Sequence, residues 1–268
     1  MLYSIISYFL LFRLFITSIP ILWYIFEVET NSIKAMNSKN ILFSIALCLS
    51  TCSSIMQAQN TKVIAHRGFW NTRGATQNSI ASLVKADSIG CYGSEFDVWL
   101  TSDKKLVVNH DPSFQGVKME TSTFKACTSL LLNNGEHLPS LQEYVDKAKK
   151  LKANLILELK AHSTPEQENE AVKQIVSMIK KAGLEKRTQY ISFSINAVKE
   201  FIKQSPKGTP VYYLEANLTP KELKDMGCAG PDYHISAFYK HPEWIKECHE
   251  LGLKVNAWTV NEKKDMKW

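Results

Sequence analysis

The chain has 268 residues, 45% of them apolar, 22% charged, with 11 glycines and 9 prolines. That balance excludes a disordered tail, a collagen-like fibre and a coiled coil. A formal charge of +6 without a clustered basic stripe gives no footprint for nucleic acid, though it suits an anionic small molecule.

Residues 1–59 carry only five charges, Arg13, Glu27, Glu29, Lys34 and Lys39. Met1–Phe26 is apolar except for Arg13 and is interrupted by Pro20. A second start lies at Met36, followed by a short basic segment through Lys39, an apolar stretch Ile41–Leu49, and small polar residues to Gln59. That order is the signature of an export signal. We therefore read 1–59 as a leader, Met36 as the working start, and the chain as exported to a periplasmic or cell-envelope location. Contact with a membrane is expected only through this leader or through a lipid anchor at Cys52. Four cysteines fall in the remainder, Cys91, Cys127, Cys228 and Cys248, with no CxxC spacing. They are read as free thiols rather than zinc ligands.

Residues 60–268 are long enough for one core and too few for two ordinary domains. In chain order, a strand over Lys62–His66 precedes a helix over Asn78–Ile89, capped by Asn78 or Ser79. Tyr92–Leu100 and Leu106–His110 read as strands joined at Thr101-Ser102-Asp103. Ser140–Leu151 reads as a helix and Ala153–Lys160 as a buried strand. The helix marked by Val172, Ile175, Val176 and Ile179 follows. Strands are then expected at Gln189–Phe193, Val211–Leu214, Tyr233–Ser236 and Leu253–Trp258, separated by helices ending near Phe201 and covering Pro220–Met226 and Pro242–Leu251. Alternating strands and helices, with strands apolar throughout, predict a parallel sheet covered by helices. The fold class is α/β, a TIM-type (β/α)8 barrel. Residues 111–139 form an insertion after the second strand, with a helical piece near Phe124–Leu132. Seven strands begin a β–α unit, so the barrel is expected to stop before an eighth.

Functional side chains of such barrels sit at the C-terminal ends of the strands. His66-Arg67-Gly68 ends the first strand, and Glu95 and Asp97 share one face of the second by their i,i+2 spacing. His110-Asp111 ends the next run, and Glu158 and Lys160 again stand i,i+2. Three carboxylates form a hard oxygen site for Mg2+ or Ca2+. Arg67 and Lys160 supply charge for a phosphate, and two histidines can divide general acid and base roles near neutral pH. Together these are parts for metal-assisted attack on a phosphodiester.

These segments resemble the glycerophosphodiester phosphodiesterase family: Ile64-Ala65-His66-Arg67-Gly68, Glu95-Phe96-Asp97-Val98, Val108-Asn109-His110-Asp111, Leu157-Glu158-Leu159-Lys160 and Ala257-Trp258-Thr259-Val260-Asn261. The resemblance implies a metal-dependent hydrolase that releases glycerol 3-phosphate and an alcohol from a small glycerophosphodiester. It implies His66 and His110 as the acid/base pair, Glu95, Asp97 and Glu158 as ligands of a divalent metal, and Arg67 and Lys160 as phosphate-binding groups. Two rival readings are a phospholipase acting on intact lipid or envelope phosphodiesters, and an inactive barrel that binds phosphorylated ligands. One departure from the family is Gln77 in Thr76-Gln77-Asn78-Ser79, where a glutamate is usual.

His137, His162, His234, His241 and His249 are read as surface or satisfied core histidines. Phe69 and Trp258 are pocket-wall candidates, Trp70 and Trp99 could line the same apolar wall, and packing explains all four equally well. The lysine-rich stretches 147–152 and 180–181 are solvated helix faces.

Overall fold

A computed structural model describes residues 61–267; the leader, with its expected export signal and Cys52 anchor, lies outside the described residues. The chain from Ile64 builds a parallel sheet whose strands are β1 (Ile64–Ala65), β2 (Gly93–Leu100), β6 (Asn154–Leu159), β7 (Thr188–Ser192), β8 (Val211–Tyr213), β9 (Gly230–His234) and β10 (Asn256–Trp258). They lie in the order β1-β2-β6-β7-β8-β9-β10, with β1 and β10 as the edges. The strand β3 (Leu106–Val108) pairs antiparallel with Val98–Leu100, extending the β2 edge that β1 occupies lower down. This is a curled sheet of seven parallel strands, a half-barrel consistent with the TIM-type barrel expected from sequence.

The covering helices are α1 (Ile80–Ser88), α2 (Phe124–Thr128), α3 (Leu141–Ala148), α4 (Pro165–Ala182), α5 (Ile195–Gln204), α6 (Pro220–Met226), α7 (Ile235–Lys240), α8 (Glu243–Glu250) and α9 (Lys263–Lys267). Their ends follow from local chemistry. Ser79 Oγ accepts from Ser82 N at the start of α1. Ser140 with Glu143, and Thr219 with Glu222, close reciprocal capping boxes on α3 and α6. Thr164 and Pro165 start α4, and Gly183 ends it in a left-handed conformation at φ 70°. Among the described residues no helix is long and apolar enough to cross a membrane.

Alternation sorts the strands into two faces. Phe96, Val98, Leu100, Leu155, Leu157, Leu159, Tyr190, Val211 and Tyr213 join the helices in the main core, with Leu83, Tyr144, Val172, Ile175 and Phe201. Ile156, Ile191, Tyr212 and Leu214 form a smaller inner cluster, against which Ile64, Phe193 and Trp258 pack. Glu95, Asp97 and Glu158 have the same parity as Ile156, so they project into the lumen. Gly230 makes room where β9 meets the chain before β10: a Cβ there would lie 1.8 Å from Lys254 O.

The structure corrects several expectations. Tyr233–Ser236 is not one strand: β9 ends at His234, and Ser236 already belongs to α7. The insertion holds a hairpin, β4 (Ser113–Phe114) and β5 (Val117–Lys118), turned at Gln115 and Gly116 with φ of 49° and 81°. Its helix is shorter than expected, ending at Thr128. Trp99, Val107, Met119, Cys127, Leu132 and Leu138 give the insertion its own small core, so Trp99 is a packing residue rather than a pocket wall. Cys91, Cys127, Cys228 and Cys248 are free thiols, three of them buried.

Candidate active site

The chain turns sharply after β1. Arg67 and Gly68 both take positive φ, 60° and 77°, and a Cβ on Gly68 would fall 2.3 Å from Ser82 Oγ. Glycine is therefore required where this turn meets α1. The turn aims the Arg67 amide at Glu95, donating to Oε2 at 2.7 Å. It also lays the guanidinium between two imidazoles: Nε donates to His66 Nε2 at 3.4 Å and an Nη lies 2.8 Å from His110 Nε2. The other Nη donates to Gln77 Oε1 at 2.6 Å. Arginine has no acceptor, so both histidines present an unprotonated Nε2 to it. His110 carries its proton on Nδ1, which donates to Asp111 Oδ1 at 2.7 Å. Burial, then the Arg67 charge, pushes the His66 pKa down to about 4, so that imidazole is neutral at neutral pH.

One layer across, Glu95, Asp97 and Glu158 each offer a carboxylate oxygen, all within 4.8 Å of one another, and all three residues are buried. The register pairs Asp97 with Glu158 across β2 and β6. Lys160 follows β6, and its ammonium lies 2.7 Å from Glu158 Oε1 and 3.3 Å from Asp97 Oδ1. The approach to Glu158 is an ion pair out of line for a hydrogen bond. Glu95 Oε1 is buried with no donor at all. Burial raises Glu95 and Glu158, the latter to about 8, and the neighbouring Asp97 charge adds to both. Burial works against the Lys160 charge, yet Glu158 and Asp97 outweigh it and raise the lysine.

An all-oxygen donor set with an orphaned buried carboxylate oxygen fits a hard divalent cation such as Mg2+ or Ca2+. Glu95, Asp97 and Glu158 would hold it, and it would compete with the proton that Glu158 retains. Cation affinity is therefore expected to weaken as pH falls below about 8, to which burial pushes the Glu158 carboxyl, with proton uptake displacing the ion. Calorimetric titration of Mg2+ between pH 6 and 9 measures this; an affinity independent of pH would show that the carboxylates are already ionised.

The structure thus brings His66, Arg67, Glu95, Asp97, His110, Glu158 and Lys160 into one connected network. The two wall candidates stand apart from it. Phe69 is half-exposed beside Trp70. Trp258 packs edge-on to Phe193 and His234, with Nε1 donating to Asp232 O at 2.9 Å.

Several residues support the site in roles that the sequence does not show. Asn78, at φ 59°, exchanges two hydrogen bonds with Asp97: its Nδ2 donates to Oδ2 at 2.8 Å and its Oδ1 accepts the Asp97 amide at 3.1 Å. Sequence marked Asn78 only as a cap candidate, and Ser79 takes that role. Gln77 stands where the family usually has glutamate, and its place as a partner of Arg67 shows only in three dimensions. His162 keeps its satisfied-core reading: Nδ1 donates to Lys160 O at 2.7 Å and Nε2 accepts the Leu100 amide at 2.9 Å, tying the ends of β6 and β2 together.

The chain is similar to known phosphodiesterases. The sequence model of the Glycerophosphoryl diester phosphodiesterase family matches residues 66–268. A glycerophosphodiester phosphodiesterase of Parabacteroides distasonis is 51% identical, with a TM-score of 0.76 over 78% of this chain and 87% of that one. The curated glycerophosphodiester phosphodiesterase of Caldanaerobacter subterraneus is 27% identical over 77% of this chain and 88% of its own. An Oleispira antarctica phosphodiesterase, solved in complex with the product sn-glycerol-3-phosphate, is 23% identical with a TM-score of 0.66 over 77% of this chain and 87% of that one, a likeness of fold.

Proposed function

Because the chain belongs to the glycerophosphoryl diester phosphodiesterase family and is a phosphoric diester hydrolase, we propose that it cleaves small glycerophosphodiesters to glycerol 3-phosphate and an alcohol, using a divalent cation. The observation that carries this reading is the bridge of Arg67 between His66 and His110, set directly beside the buried carboxylate triad. When bound, the cation supplies charge stabilisation to the phosphoryl oxygens.

The chain's own residues supply the rest. Arg67 and Lys160 attract the anionic phosphodiester, and on its arrival the Arg67 donors now held by the imidazoles turn to phosphate oxygens. Once the guanidinium leaves, one imidazole is free to take the proton of the attacking oxygen, while the other first picks up a proton from solvent on the Nε2 that Arg67 vacates and gives it to the leaving alcohol. Asp111 holds the His110 tautomer through Nδ1. Phe69, Trp70 and Leu131 are 37%, 36% and 52% exposed, and these apolar side chains favour a second reading, an intact lipid substrate. Export through the leader, to the periplasm or cell envelope, belongs to the same proposal.

Purified protein is expected to release glycerol 3-phosphate from glycerophosphocholine with Mg2+ or Ca2+, to stop on addition of chelator, and to recover when the ion is restored. Failure to hydrolyse any glycerophosphodiester with either ion would overturn the reading. Faster turnover of phosphatidylcholine vesicles than of glycerophosphocholine would favour the lipid substrate instead.

A further inference from the structure

The first turn of α1 does two jobs for the site. Asn78, just before it, holds Asp97 through both ends of its amide and gives its own N–H to Arg67 O at 3.0 Å. Ser82, at the end of that turn, donates to the same Arg67 carbonyl at 3.1 Å. Whatever fixes residues 78–82 therefore fixes one proposed metal ligand and the backbone of the phosphate-binding arginine.

A helix start leaves its first amides without intrahelical partners. Ser79 satisfies only Ser82 N. The amides of Ile80 and Ala81 go to a residue 55 or more positions away: Glu136, in the insertion, accepts from Ile80 N at 2.9 Å and from Ala81 N at 3.1 Å. A carboxylate there also faces the positive end of the helix. Glu136 is itself pinned, since its carbonyl accepts Leu132 N at 2.8 Å and its N–H donates to Asn134 Oδ1 at 3.2 Å. The insertion grips the opposite side of the site in the same way, with Glu120 accepting Ser163 N at 2.8 Å, three residues past Lys160.

We propose that Glu136 is a positioning residue: the insertion clamps the first turn of α1 through its carboxylate and thereby holds Asn78, and through it Asp97, in the geometry that takes the cation. Its relevance to turnover rests on the phosphodiesterase reading above, but the coupling from Glu136 to Asp97 does not.

Partners that orient metal ligands typically matter about 10–100-fold in metal affinity. Asn78→Ala, removing the direct partner, is expected to weaken Mg2+ binding within that range. Glu136→Ala, one step further out, should weaken it about 3–10-fold, and Glu136→Gln, which keeps one acceptor oxygen, should fall between wild type and Glu136→Ala. Glu222→Ala is the matched control, because Glu222 caps α6 through Thr219 N and Oγ1 at 2.8 and 2.7 Å without leading to the site. It should lower the melting midpoint by a similar amount and leave Mg2+ affinity unchanged. The second readout is hydrogen exchange of the Asp97 amide, whose acceptor is Asn78 Oδ1; exchange should quicken in Glu136→Ala and not in Glu222→Ala. A Glu136→Ala protein with a lowered midpoint but unaltered Mg2+ affinity would be merely missing a helix cap, and the proposal would fall. Should the wild-type protein bind no divalent ion, the metal reading fails, and Asp97 exchange alone decides: unchanged exchange in Glu136→Ala overturns the coupling.

Discussion

Replacing either His66 or His110 with alanine is expected to lower kcat/KM for glycerophosphocholine by about 10²–10⁴, the usual contribution of a positioned acid or base. That span corresponds to about 2.7–5.5 kcal/mol of transition-state stabilisation. The two variants should differ in their secondary effects. His110 accepts from Arg67 and donates to Asp111 at 2.8 and 2.7 Å, so its loss also frees the guanidinium to swing. His66 touches Arg67 only at 3.4 Å and lies 3.9 Å from Glu95 Oε2. His110→Ala should therefore raise KM as well as lower kcat, whereas His66→Ala should act chiefly on kcat. Steady-state kinetics alongside thermal melts separates chemistry from folding. The His110 side chain is 32% exposed and His66 38%, so neither truncation opens a deep cavity and both midpoints should stay near wild type. Near-wild-type turnover in either variant would remove that histidine from the mechanism.

The carboxylates and the lysine of this site were legible in sequence because they depend on period alone. Glu95/Asp97 and Glu158/Lys160 stand two apart on buried strands, and a period of two puts each pair on one face. The alternation of apolar strands with capped helices likewise announced a parallel sheet, and the span of α6, Pro220–Met226, agreed to the residue because Thr219, Pro220 and Gly227 mark both of its ends. What stayed hidden depends on partners distant in sequence. Nothing in Asn78 itself signals that its amide will face Asp97, and nothing in Glu136 signals that it will cap a helix 55 residues earlier. The β9–α7 junction misled for a local reason. Tyr233-His234-Ile235 is a short apolar-rich run without a loop residue, while the helical spacing of the buried Ile235 and Phe238 begins inside it. The β4–β5 hairpin was missed because two-residue strands carry too little alternation to read.

Lys160→Met should unsettle the fold more than any other single change in the site. The ammonium is the sole cation within 4.0 Å of the Asp97 and Glu158 carboxylates among the described residues, and all three side chains are largely buried. Methionine keeps most of the apolar stem and loses the charge, leaving three crowded carboxylates without compensation. Removing one partner of a buried ion pair costs about 3–5 kcal/mol. For a domain of this size, that is a fall of roughly 6–20 °C in the melting midpoint. The pH dependence has a definite sign. Glu158 and Glu95 are already raised above the ordinary carboxylate range by burial, then by Asp97, and loss of the lysine raises them further. A carboxylate whose folded pKa lies above its unfolded one destabilises the fold as pH rises past the unfolded value, from about 4.5 upward. The deficit of Lys160→Met against wild type should accordingly grow as pH rises through about 8, where the wild-type Glu158 carboxyl ionises and the variant's stays protonated. A divalent ion that binds only the folded state replaces the missing charge and adds stability in proportion to the logarithm of its concentration over Kd, so saturating Mg2+ should narrow the gap. Melts across pH 6–9 with and without Mg2+ measure both effects. A variant that melts with wild type at pH 9 in the absence of any divalent ion would mean that Lys160 does not neutralise the triad, and its role would then reduce to meeting the phosphate.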